Sequence, residues 1–157
     1  MDLSQAALRH LSPTSAKILR AVIAALRPRG HGFDQPIDED VLLEIDRTLP
    51  CLPTLTRVGL PLGLHALEWT APIFTGRATR LTGMNRADAR AYLLGWLDSR
   101  ITLRHMLVFG LRALVFIAFY QHPSVLSAMG VAWDRRMTET VALRADTLDH
   151  AKYGYPR

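Results

Sequence analysis

The segment MLVFGLRALVFIAFY, residues 106–120, decides the fold class because it is apolar on almost every side. Arg112 is the only charged residue in it. A helix that is apolar all round must be enclosed by protein or by lipid. The segment is short for a bilayer span, and an arginine near its centre would be costly in lipid. We therefore predict no membrane span but a helix enclosed by protein, either centrally in this chain or, preferably, at a subunit contact.

Outward from this segment, proline, glycine and capping residues divide the chain into further helical blocks, and no window resembles a strand. Ser12 and Pro13 are suited to begin the first block, and Asn85 is suited to cap a later one that runs to about Tyr120. That block is long for a globular helix, and Asp98-Ser99 is its expected interruption. Because proline kinks or breaks a helix, the intervening block TLTRVGLPLGLHALEWTAPIF predicts two short helices or one bent helix.

These blocks predict an all-α fold, a single-domain helical bundle with an apolar central or interface helix and an extended C-terminal tail. The 157 residues are enough for one domain with one core. We place the helical domain at residues 1–131, with a short last helix that ends at Gly130. Residues 132–157 show little apolar periodicity, and such a tail is expected to lie along the surface of a partner.

Composition excludes several classes of protein. The lone Cys51 excludes an internal disulfide framework and a multi-cysteine metal site. The N-terminal residues lack a basic and then apolar secretory signal, so a cytoplasmic location is expected. The net charge is +5, but the arginines are spread along the chain and Arg135-Arg136 is their only adjacent pair. Because a nucleic-acid-binding protein gathers its basic residues on one face, we expect no nucleic acid partner.

The sequence carries no motif for catalysis or for a cofactor of its own. It contains no Walker A sequence, no G-x-S-x-G elbow, no H-E-x-x-H and no dinucleotide fingerprint after a strand. His65 and Glu68 stand at the i, i+3 spacing of a bundle metal motif, but no second such helix exists, so a hydrogen-bonded pair is expected. Cys51 has no evident base and is expected to be a buried thiol. The expected catalytic, cofactor and metal residues are therefore none.

Three segments, taken in order, carry a resemblance to a known family. They are LRPRGHGFDQPIDEDVLLEID, NRADARAYLLGWLDSRITLRHM and FIAFYQHPSVLSAMGV, in which Phe119, Tyr120, Pro123 and Gly130 are the most specific positions. Over residues 15–131 the chain resembles the small subunit of gluconate 2-dehydrogenase-type enzymes, the subunit 3 family. It is also similar to the N-terminal helical segment of long-chain alcohol oxidases.

The resemblance implies a non-catalytic accessory subunit of a heterodimer, which stabilises a flavin-dependent oxidoreductase of the glucose–methanol–choline type. FAD and the alcohol or sugar chemistry would belong to that partner, and a lipophilic alcohol is one candidate substrate. Such small subunits commonly carry a twin-arginine export signal, which this sequence lacks at its start, so a cytoplasmic complex is expected.

Aromatic and arginine side chains are the usual energetic centres of protein contacts, so they supply the candidate interface. The predicted interface residues are Trp96, Arg100, Arg104, Phe116, Phe119, Tyr120, Trp133, Arg135 and Arg136. Two other functions stay open. One is a free-standing helical module that binds a lipophilic molecule along residues 106–120, and the other is a helical enzyme that uses His65, Glu68 or His105.

Overall fold

The computed structural model describes residues 8–29, 33–76, 78–130 and 138–144, and its elements are helical. They are α1 (Pro13–Leu26), α2 (Asp38–Thr48), α3 (Thr54–Thr75), α4 (Arg86–Leu97), α5 (Thr102–Tyr120) and α6 (Pro123–Ala128), with single 3₁₀ turns at Leu49–Cys51 and Leu81–Gly83 and a further helical stretch at 138–144. No strand occurs within the described ranges, so the predicted all-α class is confirmed.

The chain divides into two compact units, Met1–His122 and Pro123–Arg157. The first unit holds α1 to α5, and the second holds α6 and the helical stretch at 138–144. The boundary predicted after residue 131 falls inside the second unit and stays a prediction. Much of the predicted tail lies outside the described residues.

Local signals set the helix ends as the sequence indicates. The Ser12 side chain accepts a hydrogen bond from the backbone N–H of Ser15, and Pro13 occupies the first turn of α1. Asn85 caps α4 by accepting from the N–H of Asp88 at 2.9 Å. α3 is a single helix that contains both of its prolines and ends at Gly76, whose φ of 64° places it in the left-handed region that glycine adopts readily.

α1 is the central helix of the first unit. It contacts α2, α3, α4, α5 and the turn Leu81–Gly83. Its buried residues cover more than one face of the helix: Ser15, Ala16, Ile18, Leu19, Val22, Ile23, Ala25 and Leu26. At its C-terminal end, Arg86 donates from Nε to the carbonyl oxygen of Ala24 at 2.7 Å and so ties α4 to α1. Burial, together with neighbouring Arg29 and Arg90, lowers the pKa of Arg86 from its usual value.

α5 buries only one of its faces in this chain. Val108, Leu111 and Val115 are almost fully buried, whereas Leu103 and Met106 are 79% and 62% exposed. We considered a central position for residues 106–120. The structure instead places α1 at the centre of the first unit, and α5 packs against one side of α1. The other possibility, enclosure of this segment at a subunit contact, stays a prediction.

A buried carboxylate holds the segment before α1 against α2. Asp46 is 2% exposed, and its two oxygens accept hydrogen bonds from the backbone N–H groups of Arg9, His10 and Leu11 at 2.8–3.1 Å. The bond to Leu11 is buried and those to Arg9 and His10 are partly buried, so one side chain here satisfies three backbone donors that would be costly to leave without an acceptor.

We expect Asp46→Ala to lower the free energy of unfolding by roughly 3 kcal/mol, since each buried donor left without an acceptor costs about 1–3 kcal/mol. Urea denaturation of the full chain measures the change. Glu44→Ala on the same helix is the control, because Glu44 is only partly buried and its 3.7 Å ion pair with the exposed Arg47 contributes little. Equal stabilities of the two variants would contradict the role assigned to Asp46.

α3 and α5 come close together at Gly63. A Cβ atom built on Gly63 would collide with the side chain of Leu107, whereas one built on Gly59 meets no atom within 4 Å. Glycine within a helix is less stable than alanine by about 1 kcal/mol. The two glycines of α3 therefore differ in what an added methyl group would do.

We expect Gly59→Ala to raise the free energy of unfolding by roughly 0.5–1 kcal/mol, because the gain in helix propensity meets no steric cost. We expect Gly63→Ala to give less than that gain or a net loss, because Leu107 must move. Thermal and urea denaturation of the two variants, side by side, measure the difference. A larger stabilisation from Gly63→Ala would contradict the close approach of α3 and α5.

Candidate functional site

Large apolar side chains are exposed on α3 and α5 of the first unit. On α3 the set comprises Leu55, Val58, Leu62, Trp69 and Ile73, which are 60–87% exposed and recur at helical spacing on one face. On α5 the set comprises Leu103, Met106, Gly110, Ala113, Ile117 and Tyr120, which alternate in steps of three and four residues. We call these two sets together the α3–α5 surface. Exposed apolar side chains gathered on one side of a helix mark candidate interaction sites.

A groove of about 470 Å³ lies within this surface, between the N-terminal half of α3 and α5. Leu55 and Gly59 line one side, and Leu103, Met106 and Gly110 line the other. The Cβ positions of both glycines are open, so the absence of side chains there deepens the groove. Its shape therefore suits protruding apolar side chains.

Charge is distributed unevenly around the α3–α5 surface. Glu68 is the one acidic residue of α3, and it is 8% exposed, while α5 has no acidic residue at all. Cations are present and lie on aromatic rings: the Arg80 guanidinium lies 3.9 Å from the centre of the Trp69 ring, and that of Arg112 lies 5.0 Å from Phe116. The surface is thus apolar with a basic edge.

A second feature is a cavity of about 420 Å³ where the end of α3, α4 and the start of α5 meet. Three aromatic rings line it: Trp96 packs edge-to-face with both Phe74 and Tyr92, with ring centres 6.0 Å apart in each pair. The Arg104 guanidinium lies over Phe74 at 4.2 Å and over Trp96 at 5.4 Å. The cavity shares no lining residue with the groove between α3 and α5.

Tyr92 is held firmly in the wall of this cavity. Its hydroxyl donates to the carbonyl oxygen of Leu67 at 3.0 Å and lies 3.0 Å from the Thr70 hydroxyl. Burial raises the pKa of Tyr92 above its usual value, and the nearby Thr70 hydroxyl and Trp96 indole N–H oppose that rise. The indole Nε1 of Trp96 is buried and reaches good hydrogen-bond geometry with no acceptor in the described part of the chain.

The structure places the predicted interface residues in different environments. Arg100 and Tyr120 are exposed, and Arg104 and Phe116 are half-buried. Trp96 and Phe119 are 7% and 4% exposed, and Phe119 packs edge-to-face on Phe33 at 5.8 Å. Both side chains therefore pack largely inside this chain, and their role at a partner interface stays a prediction. Three further predicted residues lie outside the described residues: Trp133, Arg135 and Arg136.

The structure also joins residues that the sequence did not connect. Trp96 and Arg104 lie on different helices and meet at the cavity. The exposed stripe of α3 was missed altogether, although the spacing of Leu55, Val58, Leu62 and Trp69 signals one apolar face. That signal was obscured by Pro61, which suggested a break in the helix.

The expectations for His65, Glu68 and Cys51 need correction. Glu68 does not form a hydrogen-bonded pair with His65; its carboxylate accepts from the backbone N–H of Thr82 at 3.0 Å and from the Thr82 hydroxyl at 2.6 Å. Cys51 is exposed instead of buried. Within the described ranges, no group of three or more histidine, cysteine or acidic side chains could hold a metal ion.

α5 is long and apolar enough to cross a membrane by length and composition alone, and 28% of its most apolar window is buried in this chain.

Comparison of the chain with known proteins finds no relative: no family model, no curated protein and no solved structure matches it.

The raised pKa of Tyr92 predicts a loss of stability in alkaline solution. The unfolded chain ionises this phenol near pH 10, whereas the folded chain resists ionisation, so the unfolded state is favoured progressively as the pH rises above 10. We expect the slope of unfolding free energy against pH in this window to be shallower in Tyr92→Phe than in the unaltered chain. Tyr120→Phe is the control, and an equal change in slope from both variants would contradict this assignment.

Proposed function

We propose that this chain is a non-catalytic accessory subunit that docks on a partner protein through the α3–α5 surface. The observation that carries the proposal is the exposure of large apolar side chains on two neighbouring helices, with Leu55, Leu62 and Leu103 each more than 70% exposed. Burying these side chains against a partner would contribute roughly 25 cal/mol for each Å² removed from water.

The form of the surface favours a protein over a lipid bilayer as its occupant. A groove with open glycine positions accepts individual side chains, and anchoring of a side chain in a pocket is the usual source of binding energy in protein contacts. The uneven charge of the surface also indicates which charges the partner should carry. With Arg57, Arg80 and Arg112 at its edge and no exposed acid on α3 or α5, the surface suits a partner with an apolar centre and carboxylates around it.

The resemblance to the small subunits of gluconate 2-dehydrogenase-type enzymes supplies the proposed partner. That partner is a flavin-dependent alcohol or sugar oxidoreductase, in which FAD and the hydride transfer would reside. The proposed role of this chain is to cover an apolar region of the catalytic subunit and to stabilise it in a cytoplasmic complex. The helical architecture is compatible with such a role, and no catalytic group is required of the chain itself.

The proposal predicts that charge placed on the α3–α5 surface separates the complex without unfolding the chain. The chain is co-expressed with a candidate catalytic subunit, a flavin-dependent oxidoreductase of the glucose–methanol–choline type, and purified through an affinity tag on the small chain. We expect flavin absorbance to co-purify. We expect Met106→Asp/Ile117→Asp to reduce that flavin at least tenfold, because an unpaired charge buried at a contact costs several kcal/mol.

Leu94→Asp is the matched control, since Leu94 is exposed on α4 and does not line the groove. Circular dichroism verifies that all variants keep their helical content. Undiminished flavin in the doubly substituted chain would remove the α3–α5 surface as the docking site. A chain that is monomeric and soluble alone, and binds no such enzyme, would contradict the accessory-subunit proposal.

The groove also favours a second candidate, a free-standing module that binds a lipophilic molecule. Its lining is apolar except for Thr56, and its volume is within the range of small-molecule pockets, roughly 300–1,000 Å³. Native mass spectrometry of the chain expressed alone distinguishes the two. A monomer that carries a stoichiometric lipid supports the binding module, whereas self-association relieved by a co-expressed partner supports the subunit.

A further inference from the structure

The cavity between α3, α4 and α5 contains polar groups of two kinds, those already engaged and those still free to bind. Tyr92 is engaged by Leu67 and Thr70, as described above. The carboxylate of Asp88 accepts a hydrogen bond from Asn85 Nδ2 at 2.9 Å, and the Thr75 hydroxyl donates to the carbonyl oxygen of Ala71 at 2.8 Å. These groups belong to the helix ends that build the wall.

The groups still free to bind are hydrogen-bond donors. The Arg104 guanidinium makes ring contacts with Phe74 and Trp96, but no hydrogen bond or ion pair with any residue that the structure describes. Trp96 is 7% exposed, and its Nε1–H lies near the Tyr92 hydroxyl but does not reach good hydrogen-bond geometry with it or with any other described residue. A ligand for this cavity must therefore supply acceptors.

The position of Arg104 also determines the sign of the ligand's charge. Aromatic walls such as these could surround an ammonium group, but the chain's own guanidinium already lies over two of the three rings. A guanidinium stacked on a ring leaves its edge N–H groups available, and that edge matches the two oxygens of a carboxylate. The start of α5, where Arg104 lies, adds the partial positive charge of a helix N-terminus.

We infer that this cavity binds a small monocarboxylate with a flat apolar body, whose carboxylate pairs with Arg104 and whose body lies among Phe74, Met84 and Trp96. The volume of about 420 Å³ is within the range of small-molecule pockets. Arg104 is the one cation among the described lining residues and balances a single negative charge, and Asp88 in the same wall repels any anion, so a ligand with two negative charges, such as a phosphate monoester, is disfavoured most. The site is independent of the α3–α5 surface and goes beyond the accessory-subunit proposal.

Calorimetric titration of the full chain with four compounds that share a naphthalene ring tests the ligand class. The compounds are 2-naphthoate, 2-naphthylmethanol, 2-naphthylmethylammonium and 2-naphthyl phosphate. We expect 2-naphthoate to bind with a stoichiometry of one and at least tenfold more tightly than the other three. Absence of saturable binding of 2-naphthoate, or equal or tighter binding of any other compound, overturns the inference.

Three variants locate the binding in this cavity. Arg104→Gln is expected to weaken 2-naphthoate at least tenfold and to leave 2-naphthylmethanol unchanged. Gly95→Leu is expected to abolish binding by filling the cavity, because a Cβ on Gly95 meets no atom within 4 Å and Gly95 lines the space. Gly110→Leu makes the same change in the groove between α3 and α5, and is expected to leave binding unaltered.

If Arg104→Gln fails to fold, the comparison of Gly95→Leu with Gly110→Leu decides the location by itself. Loss of binding in Gly110→Leu with retention in Gly95→Leu would place the compound in the apolar groove and overturn the inference. Unchanged affinity in a folded Arg104→Gln would overturn the carboxylate pairing.

Discussion

Burial of α1 on several sides is the constraint on which the rest of the first unit depends. α1 has only 14 residues, yet α2, α3, α4 and α5 all pack on it. α3 and α5 are longer, with 22 and 19 residues, and so cannot bury their full length against so short a helix. Both also carry apolar residues on their outer faces. The exposed α3–α5 surface follows from this difference in length together with that composition.

Buried carboxylates then fix the segments that connect the helices. Asp46 binds the backbone before α1, and Glu68 binds both the backbone and the side chain of Thr82 in the turn that leads toward α4. Each of these residues lies on a helix and satisfies donors in an irregular segment, which otherwise would remain unpaired away from water. Because Glu68 links α3 to that turn, it also helps to place α4 beside the end of α3, where the cavity forms.

On the side of the unit formed by α3 and α5, several arginines lie over aromatic rings instead of pairing with acids. Where acidic residues are available, as on α2, arginines form ion pairs: Arg20 with Glu39 and Arg27 with Asp38, both at 2.6 Å. On α3 and α5 the single acid is buried, and Arg80, Arg104 and Arg112 instead lie on aromatic rings. A stacked guanidinium keeps its edge donors free. That arrangement underlies both proposals, since it leaves cations at the edge of the docking surface and in the cavity.

The sequence by itself determined the all-α class and several helix ends, because local groups set those ends. Ser12, Asn85 and the Asp98-Ser99 interruption act through hydrogen bonds and backbone preferences that span a few residues. Only the tertiary structure decided which apolar helix became the centre, which partner Glu68 took and that Trp96 would meet Arg104. Periodicity marks an apolar face without saying what covers it, and those choices rest on contacts between residues far apart in the chain. For the same reason the sequence marked Trp96 and Phe119 as aromatic anchors, whereas packing turned both inward.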